Sequence, residues 1–89
     1  MPVSLSERID ALFDQMIEQQ RAKVLRIARE INPTITPDDV LNPHDFPDLN
    51  VDAQYNFEDG ILSGYIGAQM AVRAEMASLA HASESREVG

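Results

Sequence analysis

Between positions 48 and 59 the chain sets oxygen-bearing side chains at steps of two, two, four and three: Asp48, Asn50, Asp52, Asn56 and Asp59. A compact run of this kind suits a hard divalent cation, which gathers oxygen ligands from carboxylates, amides and carbonyls. The two histidines, His44 and His81, are the other side chains able to do chemistry near neutral pH. His44 adjoins Asp45, a pairing that general acid–base catalysis uses when a nucleophile or substrate pocket lies beside it. No serine here stands in a nucleophile-elbow or triad context. Neither histidine completes a Glu-x-x-His pair of the kind that metal-binding helix bundles use. The reading is therefore structural: His44 makes a local hydrogen bond in a packed loop, and His81 is a favourable cation near a helix C-terminus.

The run from Asp48 to Asp59 resembles an EF-hand calcium loop, with oxygens at loop positions 1, 3, 5, 9 and 12 and hydrophobic Tyr55 at position 8. What the resemblance implies is calcium held by Asp48, Asn50, Asp52 and Asp59. The sequence departs from that pattern in three ways. Ala53 occupies the sixth position, where the sharp turn wants glycine, and Asp59 the twelfth, where a longer bidentate glutamate is expected. Pro43 and Pro47 also prevent the entering helix. Helix capping accounts for Asp52 and Asn56 equally well. Calcium is thus the alternative reading, and the leading one has no metal, no cofactor and no catalytic residue.

Charge narrows the partners. The net charge is −8, and residues 32–60 hold seven acids with no Lys or Arg, so −7 of it lies there. Such a field repels nucleic-acid phosphates and anionic lipid. Arg21, Lys23, Arg26 and Arg29 form a basic stretch without interleaved aromatics, which suits compensation of the acidic segment better than base stacking. There are no cysteines, which excludes disulfides and thiol chemistry. The opening MPVSLSERIDALF has neither a basic n-region nor an uninterrupted apolar h-region, and the charge-free stretch of the second helix, Ile61–Val72, is too short to span a bilayer. A cytoplasmic protein is expected.

Two long helices must carry these residues. Ile9, Phe13, Met16, Gln20, Val24, Ile27 and Ile31 follow steps of three and four, giving a helix over 5–31 capped by Ser4 with Glu7, or by Ser6. Asn32-Pro33 ends it. Thr36-Pro37-Asp38-Asp39 opens a short helix near 37–41, and 43–56 reads as irregular but apolar enough to pack. A second long helix is expected over 57–82, capped by Asn56, with a turn at Asp52 to Tyr55 as an alternative backward extension. Leu62, Tyr65, Ile66, Gln69, Val72, Arg73, Met76 and Leu79 lie on its bulky side, and 83–89 is frayed. Met1, Met16, Met70 and Met76 read as core filler.

The other side of that helix carries Gly60, Gly64, Gly67, Ala71, Ala74 and Ser78, spaced four, three, four, three and four. Three helical glycines on one face cost about 0.5–1 kcal/mol each relative to alanine, so close approach of another helix backbone is the expected gain. The whole chain, 1–89, is read as one all-α domain: an antiparallel hairpin whose two helices cannot cover their own apolar faces and so dimerise into a four-helix bundle. The function expected is that of a non-enzymatic homodimer offering its acidic, Pro-rich segment 32–60 to a partner protein, without nucleic acid or membrane.

Overall fold

The computed structural model describes residues 4–42 and 45–88, the last six of these as backbone only. Helix α1 spans Leu5–Ile31, as its periodicity predicts. Ser4 is the cap, its Oγ accepting from the Glu7 amide at 3.2 Å. At the other end the Asn32 amide donates to the Ala28 carbonyl at 2.8 Å, while the Asn32 side chain takes the Thr34 amide and hydroxyl. That turn reverses the chain and drops Ile35 into the core.

The acidic crossing is more regular than its sequence suggests. The short helix expected near 37–41 is a single 3₁₀ turn, Asp39–Leu41, because Asn42-Pro43 leaves no room for another turn. It is closed by a reciprocal pair: the Thr36 amide donates to Asp39 Oδ2 at 3.0 Å and the Asp39 amide to Thr36 Oγ1 at 3.3 Å. The stretch read as irregular over 43–56 contains helix α2, Pro47–Asn50, and the first turn of helix α3, Ala53–Val88. A four-residue helix is too short to declare itself by periodicity. Pro47 at its first position presets the backbone, and complete burial of Leu49 holds it.

Helix α3 begins at Ala53, four residues before Phe57, by the backward extension through Asp52 to Tyr55. Asp52 is its cap, taking the Tyr55 amide at 2.7 Å. Asn56, expected as the cap, lies inside the helix and sends its side-chain amide to the Asn50 carbonyl at 2.9 Å. The physical reason is Tyr55, fully buried, which needs helical backbone beneath it to reach the core. The helix also continues past Ala82 to Val88, where fraying was expected, so the two long helices are not matched in length.

Helices α1 and α3 form an antiparallel hairpin in which Gln20 meets Glu58 and Asp10 meets Arg73. The buried apolar residues are Ile17, Val24, Ile27 and Ala28 of α1, Ile35 and Leu49 of the crossing, and Tyr55 and Leu62 of α3. All of them lie toward the closed end, where the crossing supplies a third wall. In the open half, Ile9, Phe13 and Met16 are only half-buried, and Leu5 and Leu12 are exposed. The radius of gyration is 17.9 Å, against about 12 Å for a compact chain of this length. Among the described residues no helix is long and apolar enough to cross a membrane.

Candidate functional site

Two polar clasps fix the register of the hairpin. Near the closed end Gln20, almost buried, donates through Nε2 to the Glu58 carbonyl oxygen at 2.9 Å and to its carboxylate at 2.7 Å. Lys23 Nζ lies 3.0 Å from the other carboxylate oxygen. The hydrogen bond from Gln20, followed by that from Lys23, holds the Glu58 carboxyl below the usual carboxylate range. In the open half Arg73 grips Asp10 with both arms of its guanidinium, at 2.6 and 3.0 Å. Gln69, buried beside it, donates to Asp14 at 2.8 Å. The Arg73 fork, with Gln69 in support, lowers the Asp10 carboxyl.

These clasps account for part of the basic stretch. Lys23 neutralises Glu58, Arg29 Nε donates to the Ile35 carbonyl at 3.1 Å, and Arg21 lies 3.9 Å from Glu18. Gln20 and Gln69 stand in the sequence at positions facing the partner helix, and a glutamine there is the visible signal of a buried polar contact. Their partners, Glu58, Asp10 and Asp14, carry no such signal.

The fragment resembling a calcium loop is taken apart by the fold. Asp48 and Asn50 belong to α2, Asp52 caps α3, and Asp59 sits two turns into α3. Asp48 is exposed, whereas Asp59 is half-buried against the opposite wall of the crossing. Among the described residues no three His, Asp or Glu side chains gather as a metal-holding group. Met1 and His44 lie outside the described residues. His81 is exposed and stands two turns before the end of α3 rather than in its last turn.

The small-residue stripe faces away from α1. Gly60, Gly64, Gly67, Ala71, Ala74 and Ser78 are all exposed, and a Cβ added at any of the three glycines meets nothing within 4 Å. Met70, expected as core filler, is instead exposed, because it lies on the side of α3 turned from α1, and with exposed Leu79 it flanks the stripe. The hairpin itself is built on the bulky side, through Tyr55, Leu62, Ile66 and Gln69.

A cleft of about 420 Å³ opens between α1, the 3₁₀ turn and the start of α3. Leu25, Val40, Leu41 and Leu62 form its apolar lining, with Asp59 on one wall and Arg21 on the rim. Burial pushes the Asp59 carboxyl above its ordinary range. The cleft has no signature in the sequence, because its walls come from three segments that lie apart between Glu18 and Leu62. It offers apolar surface and a desolvated acid, with no nucleophile among its described lining residues. No protein-family model, no curated protein and no solved structure matches this chain.

Proposed function

We propose that the protein is a non-enzymatic interaction module, a helical hairpin that pairs with a second copy and presents segment 32–60 to a partner protein. The observation that carries the reading is the outward face of α3. Between Gly60 and Ala82 this helix holds two charged residues, Arg73 and Glu75, and Arg73 is turned onto Asp10. The outward side of α1, by contrast, is dense with charge, including exposed Glu7, Arg8, Glu18, Arg21 and Arg26. A helix face in lasting contact with water has no need of six small residues and open space around three glycines. A face that receives a second helix closely does.

Surface area supports the same reading. The single chain exposes 6558 Å², about 1,350 Å² more than a compact monomer of its mass. A standard interface removes about 800 Å² per partner. Pairing along α3 would also bring two chains of charge −8 together at their least charged surface. In the resulting four-helix bundle the acidic crossings remain free at the ends of the hairpins. Sedimentation velocity on the full chain and on a Gly64→Leu/Gly67→Leu variant tests the pairing. A dimer in the wild type and a folded monomer in the variant are expected. A wild-type monomer at high micromolar concentration would refute it.

A further inference from the structure

The cleft beside the 3₁₀ turn has a built character that the acidic segment alone lacks. Its outer wall is fixed before anything enters: the Tyr55 hydroxyl donates to the Val40 carbonyl at 3.4 Å, and the Thr36–Asp39 pair closes the turn. Ile35, 2% exposed, anchors the chain just upstream, and Arg29 holds its carbonyl. A preformed wall spares an incoming group the cost of ordering it. The lining is apolar, and Leu41 stands on its lip 67% exposed.

The rim is acidic. Glu18, Asp38 and Asp59 surround the opening, and Arg21, the one base there among the described residues, faces Glu18. Exposed Asp45 and Asp48 lie in the same crossing, within a segment that holds no Lys or Arg. An apolar floor inside an acidic rim rejects a fatty acid or an anionic headgroup, since either would bring a negative charge against three carboxylates. It accepts an aliphatic or aromatic side chain whose neighbours are Lys or Arg. Half-buried Asp59, which forms no ion pair among the described residues, lines the cleft where it can meet one of them.

We propose that this cleft seats the apolar anchor of a basic, amphipathic segment of a partner protein, the rim carboxylates pairing with its flanking cations. This rests on the reading of segment 32–60 as a partner-facing segment and names the chemistry of that partner. Helix-in-groove recognition takes this form, with apolar anchors three and four residues apart on the incoming helix. Ala22 is exposed and lines the cleft, so a phenylalanine there fills it from the solvent side without entering the core.

The test uses fluorescence anisotropy with a labelled synthetic peptide of about 18 residues, Leu and Lys in amphipathic helical order. A second peptide carries Glu in place of Lys. The full chain is titrated as wild type, Ala22→Phe, Leu41→Ser and Asp45→Asn/Asp48→Asn, with circular dichroism and melting confirming that each is folded. The Lys peptide should bind the wild type and the Glu peptide should not. Ala22→Phe and Leu41→Ser should each weaken binding about tenfold or more, and the double Asn variant by less than about threefold. If Ala22→Phe does not fold, Leu41→Ser at its exposed position carries the test. Binding that survives both cleft variants but falls with Asp45→Asn/Asp48→Asn overturns the cleft while leaving the acidic segment as a partner surface. Equal binding of the Glu peptide, or no binding of the Lys peptide, overturns the inference outright. Dimerisation is read separately, by sedimentation of the same samples.

Discussion

Replacing Gly60, Gly64 and Gly67 together with alanine separates two demands on the same helix face. Each glycine lies inside α3, none has positive φ, and a Cβ at any of them meets nothing within 4 Å. In a single hairpin the substitution therefore carries no steric cost and removes the backbone-entropy penalty of three helical glycines. At about 0.8–1 kcal/mol each, the hairpin gains roughly 2–3 kcal/mol. For a chain of this size that is a rise in melting temperature of roughly 10–20 °C. A face packed closely against a second helix responds differently, because three methyl groups then push the backbones apart. Melting followed by circular dichroism over a wide range of protein concentration distinguishes the two. At low concentration the triple variant should melt well above the wild type. At high concentration the wild type should close the gap as its dimer forms, while the variant stays independent of concentration. A variant that melts no higher than the wild type at low concentration would refute the claim that this face is open in the single chain. A constant gap at all concentrations would refute the pairing.

Other outcomes follow from the core, the cap and the carboxylates. Leu49→Ala removes the fully buried anchor of the acidic crossing and should cost about 2–5 kcal/mol in urea unfolding. Asp52→Ala removes the acceptor of the Tyr55 amide and should cost about 1 kcal/mol, with the loss confined to the start of α3 by hydrogen exchange. The carboxylates act in opposite directions as pH falls. Asp59 is raised by burial, so its ionised form penalises the folded state at neutral pH and protonation relieves that penalty. Glu58 and Asp10 are lowered by Gln20 and Arg73, so their contribution is present above the unfolded values and is lost as pH drops through the folded ones. Urea midpoints should therefore rise slightly on mild acidification and fall below about pH 4. Asp59→Asn should abolish the rise and leave the fall, whereas a profile unchanged by Asp59→Asn would remove the assigned cause.

Much of the architecture was legible because helices are local. The three-and-four spacing from Ile9 to Ile31 places one residue after another on a single face, and Ser4 with Glu7 marks the start by adjacent hydrogen-bonding groups. Asn32-Pro33 ends the helix for an equally local steric reason. The crossing was harder to read. Pro47 to Asn50 is helical because Leu49 is buried, and Ala53 to Asn56 is helical because Tyr55 is buried. Neither burial can be read from neighbours in the chain. The oxygen spacing from Asp48 to Asp59 suggested a single loop for the same reason, since the sequence does not show that helices divide it.

The sequence by itself determined that this is an all-helical chain with two long helices, an acidic middle and a face of small residues. Composition and period are properties of consecutive residues, and they survive whatever the chain packs against. Tertiary structure decided which side of α3 meets α1. Tyr55, Leu62 and Gln69 bury their bulk and their hydrogen bonds there, which turns the glycines outward and leaves them uncovered. It also decided that Glu58 belongs to Gln20 and Lys23, and that Leu25, Val40 and Leu62 share one cleft with Asp59. Those partnerships join residues up to thirty-eight positions apart, and only the return of the chain upon itself brings them within reach.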